Sequence, residues 1–316
     1  MASNVTELDR PQRAAGIDGA PAPEEVAVPI EASADELRAL EAGLDELQSE
    51  RSLRQRDWSR VLLPVGAVVV LALVWQIVAS LGLKRHDLVP GPLDVAAALG
   101  QLWNEGQVQQ AIATSLGRGL LGFVVSVLVG TPLGLLLAQV RPLRRAFGPL
   151  VSGLQVLPSV AWVPAAIIWF GLTDATVYFV VLMGAIPSIV NGLIAGVDQI
   201  PPHYRSVAKV LGASRLELAL QVILPASLPG YVAGLKQGWA FSWRSLMAAE
   251  IIAVGGSLGF GLGSLLDQGR TLSDMGIVMG AILAILAVGI LVELLVFGPV
   301  ERRLLARRGL LAGGSR

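Results

Sequence analysis

Few residues in this 316-residue chain are of types that do covalent chemistry. It has no cysteine, which excludes disulfides, thiolate metal sites and thiol nucleophiles. The two histidines, His86 and His203, lie far apart in sequence, whereas a histidine-based metal or catalytic centre needs several convergent ligands. The lysines, Lys84, Lys209 and Lys236, are followed by Arg85, Val210 and Gln237. None therefore completes the Gly-x-x-x-x-Gly-Lys-Ser/Thr loop that cradles nucleotide phosphates. The glycine run at 255–263 lacks the spacing of a dinucleotide fingerprint and the strand that must precede it, and it reads as a flexible loop. Paired-carboxylate chemistry inside a membrane needs two acids at depth. Glu250 is the one clear deep acid, with Glu293 nearer the end of the next apolar run. No catalytic centre is predicted.

What remains is a set of charges in apolar surroundings: Lys236, Arg244 and Glu250, with Trp239 and Trp243 between them. Arg244 and Glu250 are six residues apart, about 120° around a helix, so each is expected to find a partner elsewhere. Two readings stand for Arg244. A planar guanidinium suits oxyanions, which would make Arg244 part of a solute pathway shaped by Trp239, Trp243 and Glu250. Alternatively, it is a structural ion pair or a side chain snorkelling to the membrane edge.

The elements that must position these residues are membrane helices. Hydrophobic types make up 53% of the chain and charged types 15%, against about 25% charged in an ordinary soluble domain. The formal net charge is zero, so no basic surface points to nucleic acid. Six stretches approach the length of about 20 apolar residues that crosses a bilayer: 61–82, 115–139, 147–170, 175–197, 228–254 and 275–297. Their continuity predicts helices rather than barrel strands. Arginines and lysines concentrate before the first stretch and after the second, fourth and sixth, which puts both termini in the cytoplasm by the positive-inside rule. Gly230, Gly234 and Gly238, like Gly130 and Gly134, form four-residue stripes where helices can approach closely. Pro132, Pro158, Pro164 and Pro187 are expected to kink or locally unwind their helices.

Residues 1–56 read as a cytoplasmic extension ahead of a transmembrane domain at 57–316. Its first 32 residues are polar and predicted to be disordered, with no leader-like apolar segment. Ser33 and Glu36 then make a capping box that opens an amphipathic helix within 33–56, carrying Leu37, Leu40, Leu44 and Leu47. That stripe fits either a helix resting on a neighbour or a short coiled-coil seam.

The segment 201–225, PPHYRSVAKVLGASRLELALQVILP, is too polar to span a membrane and too helical in pattern to be a plain loop. Pro201 and Pro202 stop the fourth span, a short helix follows over 204–211, and Gly212 supplies a left-handed stop. Ser214 and Glu217 form a capping box for a second short helix, with Leu216, Leu220 and Ile223 on one face and Pro225 as its end. This predicts a rigid knob on the cytoplasmic face, either gripped by another protein or simply an interfacial hairpin.

Its spacing resembles the EAA loop of binding-protein-dependent ABC importer permeases: Glu-Ala-Ala, a glycine four residues after the last alanine, and a terminal apolar-Leu-Pro. Here Ser206-Val207-Ala208, Gly212 and Val222-Ile223-Leu224-Pro225 hold those positions, with Ser206 in place of the usual glutamate. The likeness extends over about residues 60–310 through Leu88-Val-Pro-Gly-Pro-Leu-Asp94, Ser115-Leu-Gly-Arg118, Gly122-Phe123, Leu157-Pro158, Trp169-Phe170-Gly171, Ala248-Ala249-Glu250 and Gly259-Phe-Gly-Leu-Gly263. The combination is similar to the permeases for aliphatic sulfonates, taurine, nitrate and bicarbonate. The resemblance implies an all-α membrane protein with the six helices of a type I importer permease and a cytoplasmic coupling-helix loop. Ser206, Ala208, Gly212, Ala213, Ser214, Glu217, Leu224 and Pro225 would then couple to the ATPase. Implied partners are a second permease copy, two ATPase subunits that carry ATP and Mg, an extracytoplasmic solute-binding protein and the lipids of a bacterial inner membrane. No cofactor is implied for this chain. A sulfonate is the first expectation for the solute. Nitrate, bicarbonate or another small solute, or an ion-coupled carrier, are the alternatives.

Overall fold

The computed structural model describes residues 59–82 and 88–307. The expected tail at 1–32, the amphipathic helix at 33–56 and His86 lie outside them. The chain divides into two compact units, Met1–Ala67 and Val68–Arg316, and the helical bundle belongs to the second.

All regular structure among the described residues is helical. Helix α1 spans Ser59–Ser80, α2 Pro92–Asn104 and α3 Gln107–Gln139. Helix α4 covers Arg141–Val156, a 3-10 turn follows at Ser159–Trp162, and α5 covers Val163–Phe170. Helices α6 and α7 are Asp174–Asp198 and Pro202–Val210, and α8 runs over Arg215–Ile252. Helix α9 is Leu262–Thr271, α10 is Met275–Val292, and a π-helical turn at Glu293–Phe297 leads into α11, Gly298–Arg307. Five of the described helices are long and apolar enough to cross a membrane, or six if α4 and the 159–170 segment form one broken span.

Burial follows composition. No described side chain of α1 is buried, although its residues are apolar on every side. In water that would be untenable, but lipid solvates such a surface. Helix α6 is the most buried, with Val177, Val180, Val181, Ala185, Ile189, Val190 and Leu193 fully enclosed. The glycine stripes explain how its neighbours come so close. A Cβ on Gly234 of α8 would sit 2.6 Å from the Gly192 Cα of α6, and one on Gly230 would sit 2.5 Å from the Gly196 Cα. On α3, a Cβ on Gly130 would lie 3.1 Å from Ile189 and one on Gly134 3.0 Å from Leu193. Backbone-to-backbone approach of this kind replaces the hydrophobic drive that lipid removes.

Of the proline expectations, the one at Pro158 holds: the third stretch breaks at Leu157–Pro158, and its halves are bent by 96°. Pro158 forces Leu157 into extended backbone (ψ 124°) and donates no hydrogen bond of its own. Pro132 and Pro187, by contrast, sit within continuous helices. One expectation needs correction: Pro225 does not end a second short helix. The chain passes from Arg215–Glu217 through a π-helical stretch, Leu218–Ile223, directly into Leu224–Ile252. The wider turn changes the hydrogen-bond register just where Pro225 lacks an N–H, so α8 continues instead of stopping.

Candidate functional site: coupling knob and intramembrane charges

The knob forms where α6 ends. Pro201 opens extended backbone (ψ 138°), α7 follows, and its C-terminal turn closes on Gly212, whose φ of 79° is left-handed. The Ala213 N–H donates to the Ala208 carbonyl and the Gly212 N–H to that of Lys209, which satisfies the end of α7. The predicted capping box is present: the Ser214 N–H donates to Glu217 Oε2 at 2.8 Å, and the Glu217 N–H to Ser214 Oγ at 3.3 Å. Ala208 is buried beneath the knob, whereas Ser206, Gly212, Ser214 and Glu217 are exposed, and Ala213, Leu224 and Pro225 half-buried.

The face expected from sequence is only partly shared. Ile223 is buried, but Leu216 and Leu220 are exposed, together with Tyr204, Val207, Val210 and Leu211. Val210 and Leu211 are 87% and 80% exposed, among the most open apolar side chains described. A polar, well-capped element that displays such a patch has the character of a docking surface. A cleft of about 660 Å³ at the knob is lined by Gln199 at the end of α6, Tyr204 of α7, and Gln221 and Pro229 of α8.

Within the bundle, the structure separates the four residues singled out on α8. Trp239 and Trp243 are buried and stacked with ring centroids 6.0 Å apart, and Phe123 meets Trp239 edge-on at 5.6 Å. The Trp243 indole N–H finds no acceptor. Glu250, 1% exposed, does not pair with Arg244. Its carboxylate accepts from Ser115 Oγ at 2.6 Å, from Arg118 Nη1 at 3.0 Å and from the Gly263 N–H at 3.1 Å. Arg118 also reaches Asp174, through Nε at 2.9 Å and Nη2 at 2.7 Å, and the Gly259 carbonyl at 3.2 Å. The loop at 255–263 is therefore held rather than flexible at its C-terminal part. Arg118 as the partner of Glu250 is not apparent in the sequence. Its one signal was that a buried carboxylate must be paired, and Arg118 and Glu250 are 132 positions apart.

Lys236 is likewise neutralised, lying 2.5 Å from Glu293 and 3.4 Å from Glu301. Arg144 pairs in a fork with Asp198 at 2.7 and 2.5 Å. Arg244 differs. It is exposed, donates from Nε to the Ala240 carbonyl at 3.1 Å, lies 4.7 Å above the Phe241 ring and has no carboxylate partner among the described residues. Beside it, Ser245 bonds Ser159 at 2.7 Å and so ties α8 to the break in the third span. Among the described residues no cluster of acids and histidines could hold a metal ion.

The bent, glycine-packed bundle and its protruding knob define a membrane transport subunit. Residues 130–303 match the family described as the binding-protein-dependent transport system inner membrane component, and the chain belongs to that family. Over 247 residues it is 32% identical to the bicarbonate transport system permease protein CmpB of Synechococcus elongatus, covering 74% of this chain and 86% of the relative. It is 30% identical over 256 residues to the taurine transport system permease protein TauC of Escherichia coli, covering 79% and 92%. It is 29% identical over 228 residues to the nitrate import permease protein NrtB of a Synechocystis species, covering 69% and 82%. Its fold is shared with a chain of the inward-facing MetNI methionine ABC transporter at a TM-score of 0.55 and 18% identity, covering 65% of this chain and 98% of that one. The protein is thus an all-α, multi-pass inner-membrane permease of the ABC importer type and a transport subunit rather than an enzyme. This membership disfavours the ion-coupled carrier.

Proposed function

We propose that this permease passes a small oxyanion, a sulfonate first among them, across the inner membrane between two copies of the chain. An extracytoplasmic binding protein delivers the solute, and two ATPase subunits, which carry ATP and Mg, dock on the α7–α8 knob. Relatives named for taurine, nitrate and bicarbonate transport support a small cargo that bears an oxyanion group. The observation that carries the reading is Arg244, a guanidinium within α8 that is exposed on the single chain and faces no described carboxylate, while Arg118 and Lys236 are neutralised. Unpaired charge at membrane depth is costly unless it faces water or a ligand, and a planar fork matches an oxyanion. Trp239 and Trp243 are buried on the same helix, and Glu250 holds its far end.

Arg244→Gln is expected to lower anion uptake by about tenfold or more, the loss of roughly one charge-assisted hydrogen bond. Complex assembly and basal ATP hydrolysis should stay near the parent's. Uptake in proteoliposomes and co-purification of the ATPase check this; unchanged uptake removes Arg244 from the pathway, and failed assembly makes it structural.

The arginine distribution supports cytoplasmic termini and a cytoplasmic knob. In this cysteine-free chain, Leu211→Cys should be shielded from an impermeant thiol reagent added to spheroplasts, and Thr271→Cys should react. The opposite pattern reverses the orientation.

A further inference from the structure

Among the described residues, an extensive buried polar network lies away from both the knob and Arg244, at the end of the bundle that carries Asp174 and the 255–263 loop. Ser115 and Arg118 come from α3, Glu250 from α8, Asp174 from the start of α6, and Gly259, Leu262 and Gly263 from the loop and the start of α9. Ser115 Oγ donates to Glu250 and accepts from the Leu262 N–H at 2.8 Å, so a single hydroxyl bridges three elements. The fit is close: a Cβ on Gly261 would lie 2.5 Å from both Glu250 oxygens. This gives the glycine-rich motif a physical reason, because the backbone must pass directly over a buried carboxylate.

From this geometry we infer that the adjoining ends of α3 and α8 and the 259–263 segment move as one rigid body during transport, locked by Glu250 as a positioning residue. Parting any two of these elements would strip donors from a carboxylate that is 1% exposed in the packed bundle. Removing one partner of a buried pair leaves the other charge uncompensated. The link to α6 is of another kind: Asp174 is 51% exposed, so water can take over its contact with Arg118. The opening and closing of the permease therefore takes place at boundaries other than this one.

The test uses Thr114→Cys/Gly259→Cys in the complete transporter. A Cβ on Gly259 would lie 3.7 Å from Thr114 Cγ2, close to disulfide reach, and 3.5 Å from Arg118 Nη2; Thr114 takes no part in the lock, and Gly259 enters it only through its carbonyl. Oxidation should close the disulfide in nearly all molecules, while basal ATP hydrolysis and taurine uptake stay within about twofold of the reduced form, well under the tenfold change that about 1.4 kcal/mol would give. Loss of turnover on oxidation, with recovery under reductant, would show that the lock opens in each cycle and overturn the inference, as would failure of the disulfide to form. Adding Glu250→Gln should slow cross-linking about tenfold, as expected when a charged hydrogen-bond acceptor is lost. Should that variant fail to insert, Ser115→Ala, which removes only the bridging hydroxyl, should slow it to a smaller extent. Unchanged cross-linking in an inserted variant contradicts the role of Glu250. The cross-linking rate is read without solute, so it stands apart from the anion assignment.

Discussion

Gly234→Val is expected to deplete correctly packed permease almost completely. A Cβ at 234 would meet the Gly192 Cα at 2.6 Å and its carbonyl carbon at 3.2 Å. The obstacle is backbone rather than a side chain that can swing away, so α6 and α8 must separate along their whole contact. Overpacking costs about 1–3 kcal/mol in cores that can adjust, and this site is at or above the upper end of that range. A loss of about 3 kcal/mol shifts the packing equilibrium by more than a hundredfold. Yield of monodisperse protein in detergent and resistance to protease read the effect. Ala233→Val, on the exposed side of the same turn, should change either by no more than about 0.5 kcal/mol implies. If the two variants purify alike, the glycine stripe does not set the approach of α6 and α8.

Gly212→Val should abolish coupling while leaving the bundle intact. Nothing lies within 4 Å of a Cβ at Gly212, so no clash complicates the experiment; the conflict is with the backbone itself, at φ 79°. Left-handed conformation costs an ordinary L-residue about 1–2 kcal/mol and a β-branched one more, while asparagine tolerates it. The chain should relax by re-aiming α7 and with it the exposed Val207, Val210 and Leu211. ATPase co-purification and transport should fall about tenfold or more, as about 1.4 kcal/mol would give, with membrane insertion unchanged. Gly212→Asn should retain most of both activities. Equal transport by Gly212→Val and the parent would remove the knob from coupling; equal loss in the asparagine variant would show that something other than backbone conformation is at stake.

What could be read in the sequence was whatever depends on neighbours along the chain. Apolar runs marked the membrane helices at α1, α3, α6, α8 and α10, because the length of a span is a local property. Gly212 and the Ser214–Glu217 capping box were legible for the same reason, since turn and cap chemistry act within four residues. The outcome at each proline was not. Pro158 breaks a span and Pro187 does not, because neighbouring helices decide whether the freed carbonyls find partners. The continuation of α8 past Pro225 depends on a π-helical turn that no residue pattern announces. The pairing of Arg118 with Glu250 joins positions 132 apart and follows only once α3 and α8 are side by side. Sequence did show that Glu250 required a partner; it could not say which cation supplied it.

On the function proposed above, this chain moves a small solute bearing an oxyanion group only in partnership with a separate ATPase. The direct measurement is ATP hydrolysis and solute uptake by the permease reconstituted with its ATPase subunit and solute-binding protein, with taurine, nitrate and bicarbonate offered in turn. Uptake of one of these solutes, each of which presents an oxyanion group, should require the ATPase subunit and ATP, and the same solute with its binding protein should stimulate hydrolysis. Uptake that proceeds on an ion gradient without the ATPase, or stimulation only by solutes that carry no oxyanion group, would contradict this reading.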